Sequence, residues 1–231
     1  AVRSGLSRLA IAAAVLVTAQ ALLGGANVLT ELAPAVGGAH LILATVVVGL
    51  LAAAAVVARD AADPAGGGRP QDRFAQPGVR AGAVSAALAL VVVGIGGYVR
   101  ALGASLACTD WPLCGGGVMP PPGWPFWLQW SHRVAALALG AAVAAGAARS
   151  RGGAAWWAAA LLYVAQVGLG AAAVRWQLPP AVRVLHLGVA TLLVAVLSAE
   201  TAQAWLRAVR GRSHALGRRV SVAGSGIAMG G

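Results

Sequence analysis

The chain has 231 residues, 59% of them hydrophobic and 10% charged, and its formal net charge of +11 comes from 17 arginines with no lysine. So small a charged fraction excludes an ordinary soluble domain, in which about a quarter of the residues are charged. The arginines do not form a stripe with interleaved aromatics, which excludes a nucleic-acid surface.

Six apolar runs are predicted to cross a membrane, over about residues 9–29, 38–58, 82–99, 132–148, 153–174 and 182–203. Each falls within or close to the range of roughly 17–25 residues that spans a hydrocarbon core. Arg3 and Arg8 precede the first run, and four arginines lie in 59–80. Arg149 and Arg151 separate the fourth run from the fifth, and Arg207, Arg210, Arg212, Arg218 and Arg219 follow the sixth. With six spans these segments share one side, which the positive-inside rule makes cytoplasmic, both termini included. The loop over 100–131 is then external, and the expected location is a cell (plasma) membrane. The fold class is an all-α integral membrane protein, a polytopic helical bundle.

The chain divides into a helix pair over 1–59 and a Gly-, Pro- and charge-rich cytoplasmic linker over 60–80. A complete four-helix unit follows over 81–203, then a basic, disordered cytoplasmic tail over 204–231 that contains His214. An internal repeat underlies this division. Gln20, Gly24, Val28, Leu32, Pro34, Val36 and His40 match Gln166, Gly170, Val174, Leu178, Pro180, Val182 and His186 at one constant offset, and Arg3-Ser4 matches Arg149-Ser150. Repeats of this kind build membrane bundles around a pseudo-symmetric centre. The second copy is preceded by a cysteine loop and His132, whose counterparts fall before Ala1. Residues 1–59 therefore read as the third and fourth helices of a truncated first half.

His40, His132 and His186 each open a predicted helix near the external face. Ionisable side chains inside membrane segments are functional candidates; the alternative is a neutral histidine bonded to a helix terminus. No cysteine, carboxylate or further histidine stands at zinc-like spacing. Imidazoles on facing helices of a bundle suit the axial positions of a haem iron. His132 and His186, both in the four-helix unit, are the natural pair, and His40 is half of a second site. Arg100, Arg175 and Arg183 stand at outer helix ends against the charge rule. They read as forked partners for haem propionates or as residues snorkelling to headgroups. Gly94, Gly96, Gly97, Gly24, Gly25, Gly168 and Gly170 allow close approach of a flat ligand or of neighbouring helices.

Cys108 and Cys114, the only cysteines, share the external loop and are predicted to form a disulfide. Two readings stay open, a structural staple and an exposed, exchangeable pair that couples to a thiol-disulfide oxidoreductase. The tryptophans of both ends, Trp156 among them, read mostly as an interfacial belt.

The stretch Gly97-Tyr98-Val99-Arg100-Ala101 through Ser105-Leu106-Ala107-Cys108-Thr109-Asp110-Trp111-Pro112-Leu113-Cys114, followed by Ser131-His132-Arg133, resembles the haem A synthase family. The resemblance covers about residues 1–201 and includes the Gln–Gly–Pro–His segments at 20–40 and 166–186. It implies eight helices in two four-helix halves, each presenting a histidine pair to haem, one to a haem b cofactor and the other to haem O as substrate. Family enzymes oxidise the haem O methyl group to the formyl of haem A for terminal oxidases. The implied partners are membrane lipid, haem O synthase and the cytochrome c oxidase assembly machinery. The family often carries an acid three positions before the histidine that follows the cysteine loop. Here that position is Gln129, whose amide can hydrogen-bond but cannot move a proton as a carboxylate does. A non-catalytic bis-histidine b-type electron-transfer or oxidase-assembly protein is the alternative.

Overall fold

In hydrocarbon a backbone finds hydrogen-bond partners only within itself, and a run of Ala, Leu and Val meets that demand as helix. The computed structural model describes residues 2–62, 75–149 and 153–227, and their side chains except those of 2–6, 75–77 and 212–227. Its long helices are α1 (Val2–Leu29), α2 (Pro34–Ala62), α3 (Ala75–Ala101), α4 (Trp124–Arg149), α5 (Ala154–Arg175) and α6 (Pro180–Ile227). All six contain a stretch long and apolar enough to cross a membrane. The only other helical element among the described residues is one 3-10 turn over Ala104–Leu106.

α3 packs on α4, α4 on α5, α5 on α6 and α6 on α3, which closes a four-helix ring. α2 lies against α3 and α6, and α1 packs on α2. The core of the ring takes Ala89 from α3, Leu139 and Val143 from α4, Trp156 and Ala159 from α5, and Leu193, Val194 and Leu197 from α6. Lipid is as apolar as these side chains, so close packing at small residues holds such helices together. A Cβ at Gly146 would overlap the Trp156 ring, and one at Gly140 would overlap the Tyr163 hydroxyl. Trp156 is 1% exposed and wedged against Gly146. It is a core residue, which corrects its place in the interfacial belt.

The turns joining α1 to α2 and α5 to α6 share one backbone shape. Glu31 and Leu32 have φ of 52° and 65°, and Gln177 and Leu178 have 56° and 62°. The Leu32 N–H donates to the Asn27 carbonyl at 2.9 Å and the Leu178 N–H to the Ala173 carbonyl at 2.7 Å, the six-to-one bond of a Schellman ending. Pro34 and Pro180 each begin the next helix, where a missing N–H costs nothing.

Three sequence boundaries move. α4 begins at Trp124 and not at His132, because Pro125 suits a first helical turn and the aromatic run after it continues the helix. His132 therefore sits two turns inside the helix, and the irregular part of the 100–131 loop shrinks to the stretch between Ala101 and Trp124. The segment expected as a disordered tail continues α6 to Ile227, since its Ala, Leu and Arg residues are good helix formers. α2 and α3 extend into the 60–80 segment from both sides. The rest of that linker, Arg151 and the side chains of His214, Arg3 and Ser4 lie outside the described residues. At the end remote from the cysteine loop, Arg210 of α6 pairs with Asp60 of α2, and Arg207 pairs with the buried Glu200 at 2.8 Å.

Candidate functional site

The hairpins α1–α2, α3–α4 and α5–α6 carry one arrangement at the cysteine-loop end. In each, a histidine on the second helix lies over a glycine on the first. A Cβ on Gly24 would stand 3.0 Å from the His40 ring, one on Gly96 2.8 Å from His132, and one on Gly170 3.2 Å from His186. Any larger residue would displace the imidazole. His40 and His186 are the seventh residues of their helices and His132 the ninth. At about 1.5 Å per residue, all three lie roughly 9–12 Å below the helix starts. Each is half-buried, and each Nδ1 is buried without a partner among the described residues.

His132 and His186 both belong to the ring and His40 stands apart. α4, which carries His132, and α6, which carries His186, face each other diagonally across the ring. His40 sits on α2, outside the ring. Beside two of the rings stands a glutamine. The Gln20 Nε2 is 3.2 Å from the His40 Nε2, and the Gln166 Nε2 is 3.3 Å from the His186 Nε2. The Oε1 atoms of both glutamines are buried without partners among the described residues.

The cysteine loop is clamped to α4 by three side chains. Gln129, buried, accepts from the Cys108 N–H and donates to the Ser105 carbonyl, both at 2.9 Å. Both ends of its amide are thus engaged in holding the loop. The Trp130 Nε1 donates to the Val118 carbonyl at 2.9 Å. Arg133 donates to the carbonyls of Cys108 and Asp110 at 2.8 Å each, and to those of Pro112 and Leu113. Its planar fork suits several acceptors at once. Sequence reasoning missed this role. The signal was available, since Arg133 adjoins His132 in a helix otherwise poor in charge. Asp110 closes the loop from the other side, accepting from the N–H groups of Gly115 and Gly116 at 3.0 and 2.8 Å. The Gly116 N–H first, and then that of Gly115, hold its carboxyl below the usual carboxylate range.

Cys108 and Cys114 form the expected disulfide, with residue exposures of 1% and 0%. The pair, expected as exposed in one of the two readings, is buried. The burial comes from the loop folding back on α4, which spacing alone does not reveal.

Arg100, Arg175 and Arg183 are all exposed at the cysteine-loop end. Arg175 is the one that meets a cavity. That cavity, of about 660 Å³, opens between Thr109, Asp110 and Trp111 of the loop and Ala172, Arg175 and Trp176 at the end of α5. Ala171, the residue after Gly170, also lines it, and no spacing along the chain points to such a cavity. No group of three or more His, Cys, Asp or Glu residues suited to a metal ion occurs among the described residues.

The chain is similar to known proteins over most of its length. A family model described as cytochrome oxidase assembly protein, COX15-CtaA, matches residues 1–198. The chain is 41% identical over 122 residues to a heme A synthase of Symbiobacterium thermophilum, a match covering 47% of this chain and 38% of the relative. It is 34% identical over 119 residues to a heme A synthase of Geobacillus kaustophilus, covering 47% and 37%. With a heme A synthase of Rhizorhabdus wittichii it shares 36% identity over 144 residues, covering 55% and 41%. The matched stretch thus spans about two fifths of the length of these curated relatives. The match to the family model runs through both glutamine–histidine pairs, the cysteine loop and His132, and the chain belongs to the COX15-CtaA family of cytochrome oxidase assembly proteins.

Proposed function

We propose that the protein holds haem between His132 and His186 and takes part in oxidising the methyl group of haem O to the formyl group of haem A. One observation carries this reading: two imidazoles on diagonal helices of a closed ring, each over a glycine, within a membrane-spanning bundle. The residues fit the group. Imidazoles on facing helices, without a neighbouring thiolate or carboxylate cluster, are a haem donor set, and the glycine against each ring leaves it room to lie flat on the facing helix. Haem b, when bound, supplies a redox-active iron. His132 and His186 would be its axial ligands, and His40 would serve a second haem site.

The chain's own residues do the rest. Gly24, Gly96 and Gly170 let the imidazoles lie close against the facing helix. Arg175 at the cavity, with Arg100 and Arg183 at the same end, supplies guanidinium groups for propionates. The cysteine loop, stapled and clamped on α4, covers that end and limits water. We place this end on the external side of a plasma membrane and both termini in the cytoplasm. Haem O synthase and the oxidase assembly machinery are the partners the reaction requires. A second reading, a b-type electron carrier, is favoured by Gln129, whose amide is fully engaged by the loop and holds no transferable proton.

Pigment extraction tests the two. The protein is expressed from its full gene in membranes supplied with haem O, and the extract is separated by chromatography. Haem A is expected, and it should vanish in His132→Ala. Bound haem b with haem O unchanged would leave the electron carrier. No bound haem would refute both readings.

A further inference from the structure

The three hairpins form an internal comparison. In each, the residue one turn before the glycine stands beside the histidine, and these residues are Gln20, Val92 and Gln166. The backbones of Val92 and Gln166 both face their rings, of His132 and His186 respectively. The two positions therefore differ in the side chain. The Gln166 amide nitrogen lies 3.3 Å from the His186 Nε2, whereas the side chain of Val92 has no polar atom to offer His132. The same contact recurs at 3.2 Å between Gln20 and His40, so it is not an accident of one rotamer. All three Nδ1 atoms are equally buried and unpartnered, so they do not distinguish the histidines.

We propose that Gln166 is a displaceable cap on the His186 Nε2, which makes His186 the labile ligand of the haem site and leaves His132 the firm one. This rests on the haem reading above. In the tautomer that carries its proton on Nδ1, the form that can ligate iron through Nε2, the Nε2 lone pair goes either to the amide N–H or to iron, not to both. Ligation at His186 must therefore break a buried hydrogen bond and strand an amide whose Oε1 already lacks a partner. His132 bears no such cost. When the ligand leaves, the cap re-forms and stabilises the ligand-free state. A site that gives up its haem needs one side that lets go, and Gln166 marks that side. By the repeat, Gln20 plays the same part for His40.

The test is the rate at which the full-length protein, purified in detergent and loaded with haem b, gives up its haem to excess apomyoglobin. Gln166→Met should keep the bis-imidazole absorption spectrum and slow the loss about twofold to tenfold, the size of one net hydrogen bond. Val92→Gln, which adds a cap on the His132 side, should speed the loss by a similar factor. Unchanged or faster loss from Gln166→Met overturns the cap. Should that variant not fold, unchanged or slower loss from Val92→Gln overturns it equally. A wild-type protein that takes up no haem overturns the haem reading and the cap with it, whereas equal rates in proteins that all bind haem overturn the cap alone.

Discussion

Arg133 shows how much one side chain can organise. Its guanidinium reaches four carbonyls of the cysteine loop from the residue next to His132, so loop and histidine share one rigid stretch of helix. Arg133→Ala should cost about 2–4 kcal/mol, less than the sum of its separate charged hydrogen bonds because the group is half-exposed. Thermal unfolding in detergent and protease cleavage within the loop would both report it. Arg133→Lys should recover only part, since a point charge cannot serve several acceptors in one plane. Asp110 gives the same loop a pH dependence. Its folded pKa lies below the ordinary 3.8, chiefly through the Gly116 and Gly115 N–H groups. Its contribution is therefore complete above that value and lost as the pH falls through the lower folded one. Trp111 fluorescence should show the loop loosening only in strong acid, and Asp110→Asn should remove that transition.

Between elements, glycine decides what a helix pair can hold. Gly96→Ala puts a methyl 2.8 Å from the His132 ring, and Gly170→Ala puts one 3.2 Å from His186. The first must move its imidazole further, so Gly96→Ala should weaken haem b uptake more than Gly170→Ala in an absorption titration. Gly146→Ala acts elsewhere. It forces the buried Trp156 off α4 and should destabilise the ring by about 1–3 kcal/mol, as overpacking does, while the loop keeps its disulfide. Gly96 and Gly170 stood out in the sequence as sites of close approach, whereas Gly146 did not. Which of them lies under a histidine and which under a tryptophan depends on the facing helix, so composition alone could not sort them. The turns at Glu31–Leu32 and Gln177–Leu178 are a clearer case. The residues at those positions share only a leucine, and yet their backbones match.

For the molecule as a whole, the arginine-rich segments fix a testable orientation. In right-side-out membranes an impermeant maleimide should label Met119→Cys at once, because Met119 is 59% exposed on the loop. Arg59→Cys should react only after permeabilisation. The native cysteines, buried in their disulfide, should stay silent in both. Labelling in the reverse order would invert the topology and place the cysteine-loop end in the cytoplasm. α6 ties the ring to α2. It meets α2, α3 and α5, and its inward face carries Leu193, Val194 and Leu197.

The amino-acid order by itself determined the membrane class, the six spans, the repeat and the identities of the three histidines. Those features follow from run length and from fixed spacing along one chain, which need no knowledge of neighbours. Helix ends were less legible. His132 lay two turns inside α4 because Pro125 and the tryptophans around it extend a helix that hydropathy alone starts later. Only the tertiary structure decided that the disulfide is buried, that Gln129 and Arg133 hold the loop, that Trp156 is core, and that Gln166 meets His186 while Val92 stands in the matching place. Each of these is a contact between segments 20 or more residues apart, or the burial that such contacts create. Their distances are set by how helices cross, and no local pattern encodes that.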